Sequence, residues 1–302
     1  MKTRNFYWSL EKGDLLSVLL ILPTFLIIFF IMILPLSYGF LLSFFDVGFG
    51  LSNPTENFIG LDNYRRFLND SIAQRAILNT LIFSFGAIAG TFFFGTVNAV
   101  LLHKLSRRFS AVLRPLLIMP LLISPLIVGL IWRYIYDPQG ILYWFLGLFG
   151  LGIQHFPGVT ASSTALLSTI IAHWWQVTPF IIIVLTAGLL SIPEEYYEAA
   201  YVDGAGAFSS FFRITLPLLK NTYMVILLLS GVDTFRVFDI IFSLTGGGPN
   251  NSSVSISIYA HSQAFNQANM SYAMALSTIA MFITFVVFGI PFIRHNIKKS
   301  KS

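Results

Sequence analysis

In this sequence, chemistry would sit where ionisable and amide side chains interrupt long apolar runs. Asp233, Arg236 and Asp239 are spaced three apart within the apolar segment 217–244. On a helix that spacing gives one broad face, along which opposite charges partly neutralise one another. Polar groups at membrane depth face a cavity or another helix, because lipid cannot solvate them. The trio is therefore either an ion network fastening this helix to its neighbours or, through Arg236 or Asp239, part of a pathway lining. Trp174, Trp175 and Gln176 fall near the middle of the apolar segment 164–190. Indole rings stack on sugar faces and amides hydrogen-bond hydroxyls; the other reading is an aromatic patch between packed helices. Asn266, with Gln263 near the outer end of the last apolar segment, is a further candidate for a pathway. His173 reads as a packing residue, and His103 as a solvated one in a basic turn.

Other chemistries find no residues to carry them. The five histidines are scattered without His-x-x-x-His spacing, so no metal site is expected. There is no cysteine, hence no thiol nucleophile, disulfide or cysteine-metal centre. No Gly-x-x-x-x-Gly-Lys-Ser/Thr phosphate loop is present. No Ser/His/Asp constellation asks for an active site, and the chain is expected to be neither an enzyme nor a cofactor carrier.

The elements that position these residues follow from hydropathy. Of 302 residues, 56% are hydrophobic and 10% charged, where a soluble domain has about 25% charged residues. Mean hydropathy is +0.77. This is the composition of an all-α integral membrane protein, in which a span needs about 20 apolar residues. Six segments qualify, at about 15–45, 77–102, 112–136, 164–190, 217–244 and 270–293. The first holds Pro23 and Pro35 and is expected to tilt or kink. It is too long for a signal-peptide core and no small-x-small site follows, so it reads as an uncleaved span. The second carries Gly86-xxx-Gly90, a spacing that lets another helix approach closely. The third contains Pro115, Pro120 and Pro125.

Charge sets the topology. With the N-terminal segment 1–14 in the cytoplasm, inside segments hold Lys2, Arg4, Lys12, Lys104, Arg107, Arg108, Arg114, Arg213, Lys220, Arg294, Lys298, Lys299 and Lys301. Outside segments hold Arg65, Arg66 and Arg75, with Arg133 near an outer end. The positive-inside rule then places both termini, the tail 294–302 and the loop 191–216 in the cytoplasm. It also accounts for the net charge of +5 without a nucleic-acid partner. The outer connections around 58–64, 137–163 and 245–250 read as structured turns and an interfacial aromatic stretch.

The loop 191–216 reads as a helix–turn–helix. Ser191 is placed to cap a first helix, with Glu194 three residues on and Pro193 in its first turn. Glu194, Glu195 and Glu198 suit the positive end of its dipole. Ala199 and Ala200 leave a bare surface, and Gly204 supplies a left-handed stop. A second short helix follows over 207–216, with Phe208, Phe211, Phe212 and Thr215 on one side. Such a hairpin either lies at the membrane surface or docks into a groove on another protein.

The pattern Glu198-Ala199-Ala200, three residues, Gly204, nine residues, Ile214, one residue, Leu216-Pro217 resembles the EAA loop of binding-protein-dependent ABC importer permeases, which share the MetI-like fold. Asp203 and Ala205 fit its Asp-Gly-Ala form. Phe58–Tyr64, Asn79-Thr80, Phe235, Phe238-Asp239 and Leu244–Pro249 are similar to the carbohydrate permeases of the maltose and glycerol-3-phosphate type, and the likeness covers roughly residues 20 to 295. The resemblance implies one transmembrane subunit of a prokaryotic plasma-membrane importer, paired with a second permease and two ATPase subunits that bind ATP and Mg. It implies that a solute-binding protein delivers a carbohydrate or polyol derivative from outside. Glu198 would be the docking acid and Gly204 the turn of the coupling helix. An ion-driven secondary transporter, relying on Asp233 and Asp239, and a non-transporting membrane scaffold are the alternatives.

Overall fold

The computed structural model describes residues 12–48, 57–152 and 156–300. Lys2, Arg4, Lys301 and part of the 137–163 connection lie outside the described residues. Among the described residues the chain is helical, with a lone bridge between Phe45 and Phe58 in place of any sheet.

Among the described residues four helices are long and apolar enough to cross a membrane: α1 (Ser17–Leu42), α3 (Ser71–Lys104), α7 (Ala165–Leu190) and α13 (Met270–His295). Between α1 and α3 lies the short α2 (Asp62–Asn69). Two further crossings are bent pairs, so up to six spans exist if each pair counts as one. In the first pair, α4 (Arg107–Ile118) runs into a 3₁₀ turn, Met119–Leu122, and then α5 (Pro125–Ile135), with a bend of 99°. Ser124 precedes Pro125 and is held extended (φ −57°, ψ 138°), as the proline ring requires. The expected single span 112–136 is therefore corrected to two helices meeting at this bend. The second pair is α9 (Ala207–Leu218) and α10 (Lys220–Phe235), bent by 66° at Leu219.

The fifth expected span, 217–244, is corrected at both ends. Its helix starts at Lys220 and stops at Phe235. Arg236 to Phe238 are non-helical, and α11 (Asp239–Leu244) follows. The interruption leaves the Val237 carbonyl without a helical partner, and the Ser255 hydroxyl donates to it at 3.0 Å. The glycine turn after α11 takes positive φ at Gly246 and Gly247, after which α12 (Ile256–His261) leads toward α13. α6 (Ile141–Gly147) and α8 (Glu195–Val202) complete the chain.

The longest seam joins α3 to α7. Gly86 faces Ile170, Gly90 lies under the Trp174 ring, and Gly95 meets Ile181. The knobs recur at helical spacing, and the glycines let the two backbones close on them. The Trp174 indole N–H donates to the Gly86 carbonyl at 2.9 Å. By contrast, the apolar window of α1 is 0% buried, and α1 meets α13 only near its C-terminal end, where Gly39 faces Met274.

Candidate functional site

The loop after α7 begins with a correction. The Ser191 hydroxyl donates back to the Gly188 carbonyl at 2.7 Å and closes α7; it does not cap the next helix. Glu194 occupies the N-cap of α8 without a side-chain cap, and Glu195 and Glu198 fill its first turn. At the other end Gly204 is left-handed, with φ +76°. The Ala205 N–H reaches the Ala200 carbonyl at 2.8 Å and the Gly204 N–H reaches that of Tyr201 at 3.0 Å. This crossed pair is a Schellman turn, the stop that a glycine there favours.

α9 then runs unbroken to Leu218, with Ile214, Leu216 and Pro217 inside it and a π-turn over Phe211–Thr215. The Tyr197 hydroxyl bonds the Thr215 hydroxyl at 2.9 Å and ties α8 to α9. A cavity of about 550 Å³ opens between this hairpin and the end of α3, bordered by His103, Lys104, Glu194, Tyr197 and Phe211. The outward side of the hairpin is bare. Glu198, Ala199, Asp203 and Gly204 are exposed. Tyr201 is 82% exposed, Val202 85% and Phe208 78%. Large apolar side chains left this open around small residues form a surface suited to docking.

The polar residues within the apolar segments divide into two groups. Gln176, Arg236 and Asp239 border one cavity of about 420 Å³, together with His173, Asp233 and Ile123. The helix breaks at 123–124 and 236–238 both open onto it. The Gln176 side-chain amide donates to the Ile123 carbonyl that the first break frees, at 3.1 Å. Arg236 donates to Asp233 at 3.1 Å, with both side chains exposed. Asp239 stands across the second break. It is therefore the break, not a shared helical face, that gathers the charges. Interrupted backbone at membrane depth is tolerated where it is buried in protein or lines a cavity, which is the arrangement here.

The second group lies elsewhere. Trp174 is engaged with α3 by its ring and its N–H, as the packing reading describes. Trp175 is 39% exposed and stands edge-on to Trp132, with ring centroids 6.2 Å apart. His173, at the edge of that cavity, is buried with its ring edge-on to Phe83 at 5.2 Å. Asn266 is exposed and bonds Ser262 at 3.4 Å, away from the cavity.

Of a further polar centre, built on Asp70, the sequence singles out only Gln263 as a candidate. Asp70 caps α3 by accepting from Ile72 N–H and Ala73 N–H, each at 3.0 Å. Its other oxygen accepts the hydroxyls of Tyr259 at 2.7 Å and Tyr272 at 2.8 Å. Arg66 lies over the Tyr272 ring at 4.1 Å, and Gln263 donates to Tyr259 at 2.9 Å. One carboxylate thus joins α3, α12 and α13. Burial raises the Asp70 carboxyl, but the bonds from Tyr259, Ala73, Tyr272 and Ile72 outweigh it and hold it below its ordinary value. Burial, then the Asp70 bond, push the Tyr259 hydroxyl up to about 12, so it remains a donor at neutral pH.

A depressed native pKa gives stability that is present above the unfolded value, about 3.9 for aspartate, and is lost as pH falls through the native one. Asp70→Ala is expected to cost about 3 kcal/mol: about 1 for the cap and about 1 for each hydroxyl left without its acceptor. Thermal unfolding of the purified chain in detergent measures it. An unchanged midpoint at neutral pH, or an unaltered acid limb, would remove Asp70 from this role.

These features define a helical membrane protein with a broken-helix cavity among its spans and an exposed hairpin at one end. Residues 92–299 match the model of the family described as binding-protein-dependent transport system inner membrane component, and the chain belongs to that family. It is 35% identical to the trehalose/maltose transport system permease protein MalF of Thermococcus litoralis, over 90% of this chain and 91% of that one. It is 31% identical to the sulfoquinovosyl glycerol transport system permease protein SmoG of Agrobacterium fabrum, over 92% and 90%. The fold is shared with a crystal structure of a bacterial ABC transporter involved in the import of the acidic polysaccharide alginate: TM-score 0.82, 24% identity, covering 97% of this chain and 98% of that chain. The chain is thus a membrane-embedded ABC importer permease, and neither alternative reading finds support in these relatives.

Proposed function

We propose that this chain is one half of the transmembrane pathway of an ATP-driven carbohydrate importer, crossing a prokaryotic plasma membrane six times with both termini inside. The observation that carries the pathway is the cavity where two interrupted spans meet, furnished with Gln176, Asp233, Arg236 and Asp239. An amide, two carboxylates and a guanidinium provide donors and acceptors for a polyhydroxylated solute. The permease relatives named for trehalose/maltose and for sulfoquinovosyl glycerol support a carbohydrate cargo.

The assembly follows from what this chain leaves open. The bare circumference of α1 needs cover, and a second permease subunit supplies it. The hairpin at Glu198–Gly204 docks in a cleft of an ATPase subunit, one of two, and these hold ATP and Mg. A solute-binding protein presents the cargo at the opposite face; a relative of this fold was crystallised with an alginate-pentasaccharide-bound periplasmic protein. ATP binding closes the ATPase dimer, the hairpin carries the displacement into α7 and α10, and the cavity changes its accessible side.

Reconstitution tests this. The assembled complex in vesicles is expected to take up sugar with ATP and the binding protein, and not with a proton gradient alone. Gradient-driven uptake without ATP would overturn the proposal. In the same assay, Gln176→Leu and Asp239→Leu are each expected to raise the half-saturating cargo concentration about tenfold, the worth of one hydrogen bond of about 1.4 kcal/mol. Unchanged saturation in both would move the cargo out of this cavity.

A further inference from the structure

Another polar cavity, of about 450 Å³, lies between the end of α3, the face of α4 and the last residue of α7. Its walls are of two kinds. Leu102, Leu105 and Leu190 are apolar, while His103, Ser110 and Arg114 are donors, and no carboxylate borders it. The Arg114 Nε is buried with no hydrogen-bond partner in the structure. A buried donor of a charged group left unpaired costs about 1–3 kcal/mol or more, so a partner is expected for it. Lys104 and Arg108 stand exposed beside the opening, adding to the local positive potential. On α4, Phe109 is 68% exposed, Val112 65% and Leu116 61%. A basic recess rimmed by exposed apolar side chains suits a ligand with an anionic head and hydrocarbon chains.

The geometry points to this recess as a binding site for the phosphate headgroup of an anionic phospholipid of the cytoplasmic leaflet, held by Arg114 with Ser110 and His103. The leaflet rests on the topology proposed above. The volume admits a phosphodiester with its glycerol, being roughly fifteen times the share of one water in the liquid. The recess adjoins the hairpin cavity, since His103 and Leu190 border both.

Native mass spectrometry of the assembled importer, purified from vesicles of phosphatidylcholine with phosphatidylglycerol, tests the site. Wild-type complex is expected to retain phosphatidylglycerol in preference to phosphatidylcholine. Arg114→Gln should lower that retention about fivefold, the effect of one cation at an anionic surface. Ala111→Glu, at an exposed position on the same wall, should do so with Arg114 intact, and carries the test if Arg114→Gln fails to assemble. Undiminished retention in Ala111→Glu, or in both variants, overturns the site. If inorganic phosphate added to complex in pure phosphatidylcholine binds equally well and is lost in the variants, the site takes a soluble anion and the lipid assignment falls. Lipid retention is read without transport: uptake with no retained lipid sinks this inference alone, and retained lipid with no ATP-driven uptake sinks the transport proposal alone.

Discussion

Gly204→Asp is expected to abolish ATP-driven uptake while the chain stays folded in the membrane. A Cβ built at Gly204 meets nothing within 4 Å, so no packing inside this chain opposes it. The internal cost is the left-handed backbone, φ +76°, at about 1–2 kcal/mol for a residue with a side chain. Asparagine and aspartate visit that region most readily of the non-glycine residues, and the Schellman turn survives. What changes is the docking surface. Aspartate adds a third carboxylate beside Asp203 and near Glu198, at the tip proposed to enter the ATPase cleft. Desolvating an unmatched charge at the centre of an interface costs about 2 kcal/mol or more, roughly a thirtyfold loss of affinity. Gly204→Asn, similar in shape and uncharged, separates the terms and is expected to retain most uptake. Membrane abundance, thermal midpoint, ATPase rate and uptake together measure the effect. Wild-type uptake by the aspartate variant would count heavily against a docking role for the hairpin.

Gly90→Val is the largest expected structural lesion. A Cβ there coincides with the Trp174 ring, whose own N–H is committed to Gly86. Neither group can yield, because the indole is fixed between α3 and α7. Overpacking costs about 1–3 kcal/mol when side chains can readjust, and more when two backbones must separate. The expected outcome is loss of folded protein from the membrane. Trp174→Ala alone leaves a cavity and costs about 3–5 kcal/mol. Combined, the two should be far less harmful than their sum, since valine grows into the space the indole vacates. Fluorescence-detected gel filtration of solubilised variants reads this. Strict additivity would show that Trp174 and Gly90 do not share the seam.

Most spans were legible because a run of apolar residues carries its own length signal. The helical hairpin was legible too, as Ala199, Ala200 and Gly204 state a bare helix and its stop within a few residues. The break at 236–238 was not: no glycine or proline marks it, and it is held by Ser255, 18 residues away. The charges Asp233, Arg236 and Asp239 were therefore grouped correctly on a helix that does not exist there. Ser191 has the residue type of a cap, but its hydroxyl found the nearer carbonyl of Gly188, which its own N–H also reaches. Asp70 had no signature at all, for its two tyrosine partners lie 189 and 202 residues along the chain. Gly86 and Gly90 announced a close approach, but only the folded chain says that Trp174 makes it.

Asp70 also bears on how a push at Gly204 would travel. It sits at the first turn of α3, a helix of 34 residues whose far end, at His103 and Lys104, borders the hairpin cavity. At 1.5 Å per residue the two ends are about 50 Å apart. One end is tied, since a single carboxylate joins three helices; the other borders the hairpin cavity and is packed against α7 through Ala99, Ile181 and Leu185. A displacement entering at the hairpin, as proposed, would therefore meet α3 at the end farthest from Asp70 and pass first into its seam with α7.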